Sequence, residues 1–210
     1  LEVFARKKTP TIEEYQDIFG MIQNQTERLS HLSEVLLDMT GIQSVERSDS
    51  ISLAELTDEV CCDLAAIADQ KKVELIQEEG DCTVTGSYLL LYRAVYNLVE
   101  NAIKYNHSGG KVTVKISQTK ALPAAHSKPA DYALVEVTDT GIGISPEYQE
   151  KIFAPFFRVD KSRSRAMGGA GLGLALVSEI ARQHNGQVKV TQSSEKGSTI
   201  ALILPESTDY

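Results

Sequence analysis

Two stretches of the chain, KVTVKISQ at residues 111–118 and YALVEVTD at 132–139, alternate with a period of two and read as paired strands. A loop rich in Pro, Ala and Lys, TKALPAAHSKPAD, joins them. QVKVTQ and TIALILP close the chain as further strands, and KVELIQ and CTVTG read as short ones upstream. Between them lie segments of helical spacing. SLAELTDEVCCDLAAIADQ places Leu53, Leu56, Val60, Leu64 and Ile67 along one face, SYLLLYRAVYNLVENAIKY is a second helix, and LALVSEIARQHNG is a third, ended by Gly186. Strands clustered late with helices between them predict an α+β fold, a two-layer sandwich of one sheet under one layer of helices.

The first 44 residues follow a different rule. From Thr11 to Thr40 apolar residues fall at Tyr15, Ile18, Met21/Ile22, Leu29, Leu32, Leu36 and Met39, a heptad seam that predicts one long helix. A single striped helix needs partners, so LEVFARKK, the TPTIEEY connection and this helix read as part of an antiparallel bundle. GIQSVERSDS turns to Gly, Ser and charge, and 45–50 is the expected linker before a domain spanning 51–210. The chain opens at Leu1 in helical-looking sequence and is expected to be cut from something longer.

Charge and composition exclude some classes of function. A net charge of −8 argues against non-specific nucleic-acid binding, and no run is apolar enough for a membrane span. Cys61, Cys62 and Cys82 have neither metal spacing nor an even count, so they are expected to be small buried or half-buried thiols in a reducing compartment.

Three short motifs carry the chemistry. On the helix NLVENAIKYN, Asn97, Asn101 and Lys104 line up within about 60° of one another, opposite Leu91, Val95, Leu98 and Ala102. Solvated helix faces usually carry Glu, Lys and Gln. Asn offers a compact oxygen suited to a hard cation such as Mg²⁺, and Lys104 could reach a phosphate. In VTDTGIGIS a strand ends in Asp139 ahead of Gly141 and Gly143, where a carboxylate can accept from a ligand amine and bare backbone admits a flat ring. In GGAGLGLALVSEI, glycines 168, 169, 171 and 173 lead into a helix whose free N–H groups suit a phosphate. Between the last two lies FFRVDKSRSRAMGGAG, with Arg158, Lys161, Arg163 and Arg165, which has the makings of a lid. No Rossmann or P-loop fingerprint occurs.

Taken in order, Asn-x-x-x-Asn, Asp-x-Gly-x-Gly, Phe-Phe-Arg, Gly-x-Gly-Leu-Gly-Leu and Gly-Ser-Thr before the last strand, the chain resembles the catalytic ATP-binding domain of sensor histidine kinases. That domain shares its nucleotide fold with gyrase and the mismatch-repair ATPases. The resemblance implies that residues 1–44 are the end of a dimerisation hairpin and 51–210 the kinase domain. It implies ATP and Mg²⁺ as ligands, with Asn101 on the metal and Asn97 and Lys104 near the phosphates. Tyr105 would form the pocket wall, Asp139 would accept from the adenine amino group, and Gly141 and Gly143 would shape that pocket. Phe153, Phe156 and Phe157 would anchor the lid and Arg158 would hold the γ-phosphate. Gly169, Gly171, Leu172, Gly173 and Leu174 would form the phosphate-side loop, and Thr199 would lie beside the adenine. Gly86-Ser87 stands where the family usually has Gly-Asp, and Ser87 is expected to cap the asparagine helix.

Family members phosphorylate a histidine followed by an acidic residue, with a proline a few positions on. None of His31, His107, His126 and His184 has that context, so the acceptor is expected upstream of Leu1. His31 reads as solvated, His107 and His126 as loop residues, and His184 as a structural cap. The resemblance further implies a response regulator receiver domain as partner, a homodimer through the hairpin, and a cytoplasmic position within a membrane-anchored parent. Two alternatives stand beside it. A gyrase-type ATP hydrolase needs a glutamate at the first asparagine position, where this chain has Asn97, and Glu100 reads as solvated. A non-catalytic scaffold would bind no nucleotide.

Overall fold

A computed structural model describes residues 11, 15–16, 18–20, 22, 26, 45–120, 131–159 and 171–207. Most of the heptad seam, Lys161, Arg163, Arg165, Gly168, Gly169, His31 and His126 lie outside the described residues. Within the seam, the described residues 15, 16, 18–20, 22 and 26 are helical, and Tyr15, Phe19 and Ile22 are exposed.

The sandwich is built from β1 (Asp49–Ser52), α1 (Leu53–Lys71), β2 (Glu74–Gln77), β3 (Thr83–Gly86), α2 (Tyr88–Lys104), β4 (Lys111–Thr119), β5 (Tyr132–Asp139), α3 (Gly173–Gln183), β6 (Gln187–Ser194) and β7 (Gly197–Pro205). One five-stranded sheet runs β2-β4-β5-β7-β6, with β2 parallel to β4 and the other pairs antiparallel; β1 and β3 form a separate antiparallel pair. The expected two layers are therefore present. β1 is an addition to the sequence reading: Asp49 and Ser50 were expected in the linker, yet they pair with Gly86 and Thr85. Their neighbour Ile51 is buried, and that apolar side chain holds the strand in place.

The core follows from the amphipathic helices. Leu56, Val60 and Leu64 of α1, Leu91, Val95, Leu98 and Ala102 of α2, and Leu176, Val177 and Ile180 of α3 are all buried. They meet Val112, Val114, Val135, Val137 and Leu202 from the sheet in one cluster. Each large side chain buried this way contributes roughly 1.5–3 kcal/mol, so the stripe on α2 alone is enough to hold that helix to the sheet. Ile67, expected on the inner face of α1, is exposed, and Ala68 holds the buried position near the end of that helix.

Helix ends are tied by side chains distant in sequence. Ser52 caps α1 by accepting from the Glu55 N–H, and Asp81 accepts from both the Ser52 hydroxyl (3.1 Å) and the Ala54 N–H (3.0 Å). On the outer side of the helix layer, Tyr88 donates to Glu59 and Tyr92 to Asp63, joining α1 to α2. The hydrogen bond to Glu59 pushes the Tyr88 hydroxyl up to about 12. α3 ends with Asn185 in the left-handed region (φ 54°), one residue before the glycine expected to stop it. Gly186 is needed for a different reason: a side chain there would run into the Ile203 carbonyl.

Ser87 departs from expectation. It is the N-cap residue of α2, yet its hydroxyl makes no capping bond; instead its N–H donates to Nε2 of buried His184 at 3.1 Å. Nε2 is thus an acceptor, so Nδ1 carries the proton and donates to the Ile180 carbonyl at 2.8 Å. His184 joins the start of α2 to the end of α3 as a neutral imidazole. The cysteines also need a correction: Cys82 is buried and Cys61 half-buried, but Cys62 is exposed, because adjacent helix positions differ by about 100°. All three are free, and burial pushes Cys61 up to about 11, which leaves it unreactive.

Burial pushes His184 below its ordinary 6.5; the hydrogen bond to Ile180 opposes the shift and the charge of Arg47 adds to it. Below 6.5 the unfolded chain takes up a proton that the folded chain refuses. The contribution of His184 is therefore complete above 6.5 and is lost as pH falls through the lowered folded value. Urea unfolding should give lower stability at about pH 5.5 than at about pH 7.5. His184→Ala should remove about 2 kcal/mol at the higher pH and shrink the difference between the two.

Candidate functional site

The asparagine stripe is fixed by the helix that carries it. Asn97 Nδ2 donates to the Arg93 carbonyl and Asn101 Nδ2 to the Asn97 carbonyl, both at 2.8 Å and both one turn back. With each amino group held by backbone, the amide oxygens are the ends that point away from the helix. Opposite them stands the start of α3. A Cβ on Gly173 would come within 2.5 Å of Asn97 Oδ1 and 3.7 Å of Asn101 Nδ2, so glycine is what lets the two helices meet there. Among the described residues no side chain caps α3, which leaves its first N–H groups facing the stripe.

Gly171 extends this loop. Its φ of 73° favours glycine, and an added Cβ would meet the Phe157 carbonyl at 2.8 Å. Its carbonyl accepts from the Phe156 N–H at 2.9 Å, which binds the Phe-Phe-Arg segment to the glycine loop. Phe156 itself is 60% exposed, while Phe153 packs against the core and Phe157 lies against Tyr148 with ring centroids 5.8 Å apart. Leu172 and Leu174 pack into the core rather than toward the asparagines, so only their backbone is available to a ligand.

Positive charge converges beside the stripe. Burial lowers the pKa of Lys104, Glu100 partly offsets this, and the charges of Arg158 and Lys71 lower it further. Lys71 also donates to the Lys104 carbonyl at 2.7 Å, closing the end of α2. Arg158 Nη2 is buried and has no hydrogen-bond partner among the described residues. A buried guanidinium N–H without a partner is costly, and so is a cation held among other cations; an anion would relieve both. Glu100, expected to be solvated, is half-buried, because it sits near Lys104, Tyr105 and Tyr96.

The Asp139 turn seats on the other side of the same helix end. Gly141 N–H donates to Asp139 Oδ1 at 2.8 Å, Ile142 N–H donates to the Tyr105 carbonyl at 3.3 Å, and a side chain at Gly141 would strike that carbonyl. Gly143 (φ 67°) passes so close to the Ser194 carbonyl that no Cβ fits. Asp139 Oδ2 accepts from the Ser198 hydroxyl at 2.6 Å. Ser198 was not foreseen, and Thr199 was expected in its place. Asp139 pairs with Ser198 and Thr138 with Thr199, so alternation puts Thr199 on the opposite face of the sheet. There its hydroxyl lies 3.0 Å from that of Thr138, in a shallow polar hollow shared with Glu136 and Lys115.

Asn97, Asn101, Lys104, Tyr105, Asp139, Gly141, Arg158, Gly171 and Gly173 thus converge on the C-terminal half of α2. Gly143 supports the Asp139 turn from behind. This order of motifs on this sandwich matches the model of one family, described as histidine kinase-, DNA gyrase B-, and HSP90-like ATPase, over residues 86–208. The chain belongs to that family. The sensor-like histidine kinase SenX3 of Mycolicibacterium smegmatis is 34% identical over 189 residues, 88% of this chain and 47% of that protein. Among solved structures, full-length ShkA in complex with AMPPNP is similar in fold, with TM-score 0.73, 23% identity, and coverage of 96% of this chain and 41% of that one. The histidine kinase ThkA in complex with the response regulator protein TrrA is also similar in fold, with TM-score 0.68, 21% identity, and coverage of 96% and 54%. The chain spans about half the length of the curated relatives it matches. Within the family the domain is of the histidine-kinase type, as its motif order implied, and not of the gyrase type. Among the described residues, no helix is long and apolar enough to cross a membrane.

Gly173→Ala tests the meeting of α2 and α3. Its methyl would force Asn97 Oδ1 aside, so thermal unfolding followed by circular dichroism should show a loss of about 1–3 kcal/mol.

Proposed function

We propose that this chain binds Mg-ATP and serves a sensor histidine kinase as its catalytic portion, passing the γ-phosphoryl group to a histidine of a dimerisation helix and onward to a response regulator aspartate. The observation that carries the reading is the buried, unpartnered Arg158 Nη2 beside the disfavoured charge of Lys104. Such a pair fits a polyanion, and the uncapped start of α3 adds N–H donors on the same side. The AMPPNP held by ShkA and the regulator held by ThkA support the same ligand class and partner.

Roles follow from what each group can do. Asn101 has its amino group tied to backbone, so its oxygen is the end that would hold Mg²⁺. Among the described residues no cluster of three His, Cys, Asp or Glu could hold a metal. A single amide oxygen suits Mg²⁺ nevertheless, since this ion keeps waters and takes its remaining ligands from phosphates. When bound, Mg²⁺ would neutralise charge on the phosphate oxygens. Lys104 and Arg158 would contact the phosphates and Asn97 would lie near them, with Gly169, Gly171, Leu172, Gly173 and Leu174 offering backbone. Tyr105 would wall the pocket.

Asp139 would accept from the adenine amino group. Each of its oxygens already takes one donor, Gly141 N–H or Ser198 Oγ–H, and retains a lone pair for another. Ser198 takes the place earlier given to Thr199. In the transfer step the bond from the γ-phosphorus to the bridging oxygen breaks, and ADP leaves with its electron pair. A phosphorus–nitrogen bond forms to an imidazole, which gives up its proton. The protein's share is positioning and charge neutralisation. A hydrolase has no support at the first asparagine position, where Asn97 donates to the Arg93 carbonyl and no carboxylate stands. Residues 1–44 as a hairpin that pairs two copies, a linker that ends where β1 begins at Asp49, the catalytic domain from there on, and a cytoplasmic setting belong to the same proposal.

Titration with a fluorescent ATP analogue and Mg²⁺ should give saturable binding. Asn101→Ala or Asp139→Asn should weaken it about tenfold or more, and Ser87→Ala should leave it nearly unchanged. Equal affinity in all four proteins would remove the site. Arg158→Ala should weaken ATP more than ADP, since its charge is assigned to the terminal phosphate. Supplied in trans with a helix bearing a histidine followed by an acidic residue, the chain should deposit acid-labile phosphate; an acid-stable phosphoserine would count against kinase activity of this type.

A further inference from the structure

The metal side and the adenine side of the proposed site belong to different parts of the chain. Asn101 and Lys104 are on α2, and Asp139 and Gly141 are on the turn after β5, so some contact has to hold the two in register. Among the described residues, one backbone hydrogen bond joins the end of α2 to that turn, from Ile142 N–H to the Tyr105 carbonyl, and at 3.3 Å it is long. By itself a single long bond sets a distance and leaves the tilt of the turn against the helix end free.

A side-chain network removes that freedom. Asn106, the residue after Tyr105, donates from Nδ2 to the Lys111 carbonyl at 2.9 Å. Its Oδ1 accepts from the His107 N–H at 3.0 Å and faces the Thr140 hydroxyl at 3.3 Å. Thr140 lies between Asp139 and Gly141. Its oxygen accepts from the Lys111 N–H at 2.9 Å, and its own N–H donates to the Lys111 carbonyl at 3.1 Å. Its proton can therefore serve Asn106 Oδ1 or the Lys111 carbonyl at 3.4 Å. Gly110 completes the fit, since any Cβ there would occupy the place of Asn106 Oδ1.

We infer that Asn106 and Thr140, gripping the start of β4 at Lys111 between them, are positioning residues that set the separation between the metal-binding and adenine-binding halves of the site. Neither is assigned a contact with the nucleotide, and the inference rests on the ATP-site reading above. A network of this kind has a distinctive consequence. A ligand that touches one half does not register their separation, whereas a ligand that spans both halves does.

The test uses the 210-residue chain with three competitors of a fluorescent ATP analogue: Mg-ATP, adenosine, and Mg-tripolyphosphate. Asn106→Ala and Thr140→Val should each bind Mg-ATP about fivefold to tenfold more weakly, with adenosine and tripolyphosphate changed by less than about twofold. Together the two substitutions should be no worse than the stronger single one, because both open the same clasp. Thr140→Ser keeps the hydroxyl and should restore Mg-ATP affinity. Equal weakening for all three ligands, or unchanged Mg-ATP affinity, overturns the inference. Should Asn106→Ala lose its cooperative unfolding transition, Thr140→Val against Thr140→Ser decides by the same comparison. A wild-type chain that binds no ATP removes the site reading itself, a result distinct from failure of the clasp alone.

Discussion

Helix α2 is the constraint on which the rest depends. Its inner stripe of Leu91, Val95, Leu98 and Ala102 is buried against the sheet and the neighbouring helices, and that burial fixes the helix in rotation as well as position. Once the stripe faces inward, Asn97, Asn101 and Lys104 have one direction left to face. The same rotation aims Tyr88 and Tyr92 at the acidic residues of α1. At its end, the Tyr105 carbonyl is left where the Asp139 turn can seat. A helix held by roughly 1.5–3 kcal/mol for each buried side chain can carry polar groups, and even a disfavoured cation, on its other side.

The polar side is built with its needs partly unmet. Each asparagine turns its amino group back onto its own helix, and Asp139 has both oxygens engaged. Lys104 and Arg158 differ: one has its charge disfavoured by burial and by like charge, and the other keeps a buried N–H without a partner among the described residues. Asp139 on one side, and Asn101 with the unsatisfied cations on the other, suit the proposed ligand, an amine at one end and a metal-bound polyanion at the other. The family match covers the stretch that carries these groups.

Much of this was legible in the sequence because it depends on local period. Strand alternation, helical stripes and glycine-rich turns record which residues share a face, and from residue 51 on the helices and strands read from them are present, with a helix layer over a five-stranded sheet. The misreadings share a cause. Thr199 was chosen over Ser198, and strand register decides between neighbours that face opposite ways. Ser87 was expected to cap through its hydroxyl, but His184, far along the chain, takes its N–H. Strand β1 was invisible because its four residues pair with β3 and show no period of their own. Asn106 and Thr140 are joined through Lys111 across a long stretch of chain, a relation that no local period records.

What the sequence determined by itself, then, was the longer elements of the sandwich and the apolar stripe of each, since these follow from covalent geometry and from the spacing of apolar side chains. The tertiary structure alone decided which face of β7 meets Asp139, which charges crowd Lys104, and what holds α2 to the turn after β5. Those are distances between residues remote along the chain. They come into being when the core closes, and no periodicity within one segment encodes them.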